Sequence, residues 1–205
     1  MTILLSDPRV AMIPVHDNGD PLVPLDPAIG RTFVRAGLAD RLLRAQALLP
    51  AGIDLRVVEG HRSAASQLAI VASYSAELCA AHPGISPDEL RRLSSRFVAP
   101  IEVAPHVAGA AVDLTLVDAC GDELDMGTPL DATPEESGGR CWFAADGISP
   151  DARAHRNLLA SVLGRVGLAN YPTEWWHWSY GDRYWALVTG RPHALYGSVE
   201  LEVAA

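Results

Sequence analysis

The run Ala110-Ala-Val-Asp-Leu-Thr-Leu-Val117 constrains this chain more than any other segment. It is apolar and β-branched enough to read as a buried strand, yet it carries one acid, Asp113. A carboxylate removed from water without a partner is strongly disfavoured, so the fold has to bring positive charge to Asp113. Two partners satisfy that demand equally well at this point: an arginine in a structural salt bridge, or a metal ion.

The rest of the chain can supply such an interior. It has 205 residues, 49% of them hydrophobic and 20% charged, which suits a single domain, 1–205, with its own core. Its net charge of -9 disfavours nucleic acid and anionic membranes as partners. All 16 basic residues are arginine, a bias that GC-rich coding DNA produces and that excludes lysine chemistry such as a Schiff base. No apolar run reaches the roughly 18 residues of a membrane span. The start, Met1-Thr-Ile-Leu-Leu-Ser-Asp-Pro8, lacks the basic region of a signal peptide. Cys79, Cys120 and Cys141 form no CxxC pair or disulfide framework. They are expected to be free, partly buried thiols in a reducing cytoplasm.

Residues 1–50 read as a hairpin around the turn cluster His16-Asp-Asn-Gly-Asp20, followed by a helix over 31–49. A strand over 53–58 follows, then a helix over 64–81 capped by Ser63. Ser86-Pro-Asp-Glu89 is a capping box that opens a helix running to about Arg96. Residues 120–147 read as a long loop, and loops of that length are often functional. Ser149-Pro150 starts another helix that ends at Gly167, and the Trp- and Tyr-rich stretch 174–189 reads as two strands around Gly181-Asp182. The mixed order predicts an α+β fold.

Two short motifs carry chemistry: His106-Val-Ala-Gly109-Ala-Ala111-Val-Asp113 and Glu174-Trp-Trp-His177. Two histidines and an aspartate can hold a zinc ion with its fourth position open to water, and an adjacent glutamate can act as base on that water. A spacing of three puts Glu174 and His177 on opposite faces of a regular strand, so a kink or strand end is expected there. The plainer alternative is a Trp-rich structural hairpin bearing a surface Glu and His, with the tryptophans in the core in either case. Gly109 and Ala111 suit a close approach of backbone. Arg62, in Glu59-Gly-His-Arg-Ser63, is by default a surface residue, but in a hydrolase its planar fork can bind a carboxylate or an oxyanion. His82, His155 and His193 sit in exposed-looking contexts, and His16 and His61 lie in turns.

Taken together, Gly-x-Arg, then His-x-x-Gly-x-Ala-x-Asp, then Glu-x-x-His resembles the zinc D,D-peptidases, nearest the D-alanyl-D-alanine dipeptidases of the vancomycin-resistance type. Asp125-Met-Gly-Thr-Pro-Leu-Asp131 and Arg156-Asn-Leu-Leu resemble further segments of that family, so the likeness spans about residues 53–180. It implies a central, mostly antiparallel sheet flanked by helices, the fold shared with hedgehog signalling domains, and a catalytic core over 53–190. It also implies one zinc per chain held by His106, Asp113 and His177, with Glu174 as base and Arg62 stabilising the transition state. Asp131 would bind the free amino group of a small dipeptide. Three positions depart from the family: Ala104 stands where a serine is usual, His61 replaces a tyrosine, and Leu130 a phenylalanine. These bear on the substrate more than on the metal.

Three rivals follow: a D,D- or L,D-carboxypeptidase acting on peptidoglycan stem peptides, a non-catalytic zinc-binding module, and a metal-free protein with Asp113 in a salt bridge. The absence of a signal peptide and the presence of Asp131 weigh against the first. Retention of Glu174 and Arg62 weighs against the second.

Overall fold

The computed structural model describes residues 2–201. The elements in chain order are α1 (Pro8–Met12), β1 (Leu22–Pro24), β2 (Phe33–Arg35), α2 (Ala36–Gln46), β3 (Ile53–Glu59), α3 (Ala64–Ala81) and α4 (Pro87–Ser94). A turn of 3-10 helix (Ile101–Val103) leads to β4 (Ala111–Asp118), α5 (Pro134–Ser137), α6 (Pro150–Arg165), β5 (Ala169–Asn170), β6 (His177–Ser179) and α7 (Arg183–Val188). The fold is α+β. Four antiparallel strands form the main sheet in the order β3-β4-β6-β5, and β1 and β2 form a separate antiparallel pair. Among the described residues no helix is long and apolar enough to cross a membrane.

The sheet separates its residues by period two. Val112, Leu114 and Leu116 of β4 face the main core beside Leu55 and Val57 of β3 and Trp178 of β6. Leu38 and Leu42 of α2 and Leu159, Val162 and Leu163 of α6 cover that side. Asp113 lies on the opposite face, paired in register with His177 of β6. On its other side the register slips between Val57 and Glu59, so Glu59 also stands opposite Asp113. Without this bulge Glu59 would share the core face with Val57. With it, Glu59, Asp113 and His177 form one row across the sheet.

Local signals explain most of the helices. Ser63, Ser86 and Ser149 each accept a hydrogen bond from a backbone N–H of the first turn, and Pro87 and Pro150 occupy the first helical position. Gly167 ends α6 with φ of 86°.

Four expectations need correction, and the first is the helix over 31–49, which begins only at Ala36 because Phe33–Arg35 pair with β1, and ends at Gln46. The hairpin expected over 10–25 is displaced: Leu22–Pro24 pair with Phe33–Arg35, while the backbone of His16 and Asn18 bonds to Ala194 and Leu195. Those distant carbonyls leave the His16–Asp20 cluster no partner strand of its own. The second strand expected in 174–189 is helix α7, because the Asp182 side chain caps its first turn through the N–H of Trp185. The thiols are free, as expected, but only Cys141 is buried and Cys79 and Cys120 are exposed.

Two buried arginines tie the loops to this frame. Arg156 on α6 is fully buried and donates to the carbonyls of Met126, Arg140, Trp142 and Phe143. It pins both ends of the 126–143 segment without any carboxylate partner, and burial pushes its guanidinium down to about 10. Arg35 donates to Ala108, Asp20 and Gly197 carbonyls and to Asp17, which fixes the loop that carries His106. Gly109 in that loop has φ of 63°, and a Cβ there would lie 2.5 Å from Leu22 Cδ2, so a side chain is excluded.

Replacement of Arg156 by leucine leaves the Met126 and Arg140 carbonyls without their donor, while those of Trp142 and Phe143 keep the Ala145 N–H and Arg153. It should cost at least about 2 kcal/mol of stability, a fall of roughly 4–8 °C in thermal midpoint for a chain of this size. A midpoint within a degree of wild type would show that the loop does not hang on this side chain.

Candidate active site

The site begins with the row set by the sheet. His177 opens β6, and Glu174 lies in the turn before it, closed by the Glu174 N–H to the Tyr171 carbonyl at 2.9 Å. The strand end expected between them is therefore present, and it lets both side chains reach the same cleft. The tryptophans between them are core: Trp175 and Trp176 are 1% exposed.

His106 arrives from the loop before β4. Its Nε2 lies 3.1 Å from His177 Nδ1 and 3.3 Å from Asp113 Oδ2, and His177 Nδ1 lies 3.0 Å from Asp113 Oδ1. All three residues are buried, and their ligand atoms lie within 4.8 Å of one another. His106 Nδ1 is 2.7 Å from the Gly60 carbonyl, which can only accept, so this nitrogen carries the proton. With a proton held on Nδ1, Nε2 is the ring atom left to face Asp113 and His177, the orientation that metal-binding histidines use. An arginine partner for Asp113 is not found among the described residues. The nearby guanidinium, Arg62, bonds instead to both carboxylate oxygens of Glu59 and to Gln67 Oε1, the last at 2.8 Å. The donor set and its convergence thus fit a divalent metal ion.

The electrostatics of the cluster without a cation match that reading. Burial works against ionisation of Asp113, but His106 and His177 overcome it and hold the carboxyl far below the usual carboxylate range. Glu174 Oε2 is 3.7 Å from His177 Nδ1, and burial, reinforced by Asp113 and Asp131, pushes the Glu174 carboxyl well up. Four acids, Glu59, Asp113, Asp131 and Glu174, line a cleft whose arginine is already paired with Glu59, a frustrated arrangement that an added cation relieves.

The cleft has a volume of about 250 Å³, below the roughly 300–1,000 Å³ usual for drug-sized ligands. Besides the cluster it is lined by Arg62, Gln67, Asp131, Phe97, Trp176 and Tyr171. All six residues singled out in the sequence (Arg62, His106, Asp113, Asp131, Glu174 and His177) line this one cavity. Asp131 comes from the long loop and adopts a left-handed conformation with φ of 63°. Much of the residue is exposed, but its carboxyl faces the cleft. Burial of that group, with Asp113 and Glu59 nearby, raises it to about 6.

The positions that depart from the family pattern lie outside the cleft. Ala104 packs with Leu5, Val10 and Tyr184, His61 Nε2 lies 2.8 Å from the Val199 carbonyl, and Leu130 packs on the main core. Gln67 and Glu59 were not singled out from sequence, although both position Arg62. Gln67 is 1% exposed and also donates to the Ala99 carbonyl at 2.7 Å. Glu59 had a visible signal, its i,i+3 spacing to Arg62, whereas Gln67 had none. His16 stacks on His193 at 4.4 Å, and neither lines the cleft.

Comparison with known proteins agrees with this geometry. The family model for peptidase M15, described as D-ala-D-ala dipeptidase, matches residues 30–194. The chain belongs to the M15 peptidase family. A D-alanyl-D-alanine dipeptidase of Synechocystis is 26% identical over 92% of this chain and 95% of its own length. The D-alanyl-D-alanine dipeptidase of Enterococcus faecium is 33% identical over 49% of this chain and 46% of its own. Among solved structures, VanYB in complex with D-alanine-D-alanine superposes with a TM-score of 0.50 at 19% identity, covering 90% of this chain and 94% of that one. A VanY D,D-pentapeptidase variant in complex with Zn(II) gives 0.48 at 17% identity, over 91% and 96%. The fold is thus shared with VanYB at this distance in sequence.

The raised carboxyl of Asp131 has a consequence for stability. An acid whose folded pKa exceeds its unfolded value binds its proton more tightly when folded, so its contribution is lost as pH rises. With metal removed by chelator, Asp131→Asn should therefore gain stability relative to wild type as pH goes from 4 to 6.5, spanning the rise from 3.8 to about 6. Urea unfolding midpoints at the two pH values measure this. A gap between variant and wild type that stays constant would contradict it.

Proposed function

We propose that this M15 peptidase is a zinc-dependent dipeptidase that hydrolyses D-alanyl-D-alanine or a closely related small dipeptide. The observation that carries this reading is the convergence of His106, Asp113 and His177 with Glu174 3.7 Å from His177, inside a small cleft that also holds Arg62 and Asp131. His106, Asp113 and His177 would hold one zinc ion. When bound, zinc supplies a water with pKa near roughly 7, a Lewis-acid contact for the scissile carbonyl, and positive charge that returns Glu174 to its carboxylate form.

The chain's own residues do the rest. Glu174 accepts a proton from the attacking water and returns it to the leaving amine as the C–N bond breaks, so one water is consumed and two amino acids leave. Arg62 donates to the developing oxyanion, and Glu59 and Gln67 hold its fork ready before substrate arrives. Asp131 pairs with the substrate's free ammonium. Trp176, Tyr171 and Phe97 wall the cleft and limit water around the reacting carbonyl. The free thiols suit a reducing compartment, which supports a cytoplasmic setting for this activity.

Glu174→Gln should retain about one zinc per chain and lose turnover of D-alanyl-D-alanine by at least roughly 1000-fold. Arg62→Ala should retain zinc and lose about 100- to 1000-fold in kcat. Metal analysis and steady-state kinetics on the purified variants check both. Full activity in Glu174→Gln would overturn the assignment of the base.

A further inference from the structure

One group of polar contacts next to the cleft is used by neither the main core nor the chemistry above, although the Tyr74 ring itself packs in a small cluster with Leu78, Val98 and Phe97. Tyr74 on α3 donates its hydroxyl to Glu135 Oε2 at 2.6 Å, and Arg96, just beyond α4, pairs with the other oxygen of the same carboxylate. Glu135 belongs to α5, four residues past Asp131. Tyr74 lies one helical turn past Ile70, and its ring packs 5.0 Å from that of Phe97. Ile70, Phe97 and Asp131 all line the cleft. The clasp therefore ties the segments that carry Ile70 and Phe97 to the loop that carries Asp131, just outside the residues that line the cavity. Tyr74 is 5% exposed, while Arg96 and Glu135 are half-open to solvent with 19% and 40% side-chain exposure. Such a contact is firm enough to hold a loop, and it lies outside the catalytic set.

We propose that the Tyr74–Glu135–Arg96 clasp closes the cleft on the far side of Asp131 and so sets the length of peptide this chain accepts. The inference rests on the functional reading above, in which Asp131 binds the substrate's ammonium. A substrate with another residue on its amino side has to continue past Asp131, and there it meets the loop pinned to α3 and α4. The clasp acts by steric closure, and Glu135 adds a second carboxylate whose charge is already spent on Arg96. Burial, and then the bond to Glu135, push the Tyr74 hydroxyl above the usual tyrosine range, so it remains a donor at any pH where the enzyme works.

The test uses the zinc-loaded wild type, Tyr74→Phe and the double variant Tyr74→Phe/Arg96→Gln. Tyr74→Phe keeps the ring against Phe97 and removes only the hydroxyl. Two peptides are compared, D-alanyl-D-alanine and the same dipeptide extended by one alanine on its amino side. Each is followed by calorimetric binding and by turnover. In the double variant, the ratio of kcat/KM for tripeptide over dipeptide should rise at least tenfold. Tripeptide binding should tighten in parallel, while dipeptide kcat stays within threefold of wild type. An unchanged ratio, with or without a lower thermal midpoint, would overturn the clasp as a length gate and leave the dipeptidase reading intact. Wild-type protein that binds the dipeptide without turning it over would count against the functional reading alone, because the binding ratio still tests the clasp. Wild-type protein that already binds both peptides equally would overturn the clasp.

Discussion

The structure depends on the ionised carboxylate of Asp113, buried in the middle of a strand whose other residues are almost all in the core. The sheet is built to answer that charge. β6 places His177 directly across from it, the loop tied down by Arg35 delivers His106, and among the described residues no guanidinium takes their place. The same strand gives its other face to the main core, so the position of the charge is fixed as rigidly as the packing of Val112, Leu114 and Leu116. A site held in this way keeps its ligand atoms together before any ion arrives, which reduces the reorganisation that binding requires.

Around this centre, a second layer of polar contacts decides what each group can do. The bulge in β3 turns Glu59 into the row of Asp113, where it clamps Arg62 from one side while Gln67 holds it from another. Arg62 is thereby aimed into the cleft without being drawn onto Asp113. His106 is held in one tautomer by the Gly60 carbonyl. The loop that supplies Asp131 has little regular structure, and its shape comes from Arg156 bonding to carbonyls at both of its ends. The groups proposed for catalysis thus sit in strands or in the short segments beside them, and the acid proposed to face substrate sits on a loop fastened to them.

Much of this was legible in the sequence. The apolar run around Asp113, the serine caps with their following prolines, and the two motifs pointed to a buried strand, the helices and the set His106, Asp113, Glu174 and His177, while the central sheet, Asp131 and the role of Arg62 came from the resemblance to the D,D-peptidases. The choice between arginine and metal at Asp113 was not legible, because it depends on where Arg62 spends its hydrogen bonds, and Gln67 and Glu59 meet it only in three dimensions. Strand β2 and helix α7 were misread for a related reason. Phe33–Arg35 carry helix-compatible spacing but are captured by β1, and an aromatic stretch becomes helical because Asp182 caps it. The expected hairpin near His16 failed because its partners, Ala194 and Leu195, lie at the other end of the chain.

The account stands or falls on a single metal at the His106–Asp113–His177 cluster that is needed for hydrolysis. The most direct measurement is a zinc titration of chelator-stripped protein, following turnover of D-alanyl-D-alanine. The account requires no turnover in the stripped protein and a linear recovery that ends at one equivalent of zinc per chain. Turnover that survives stripping, or that keeps rising well past one equivalent, would contradict it.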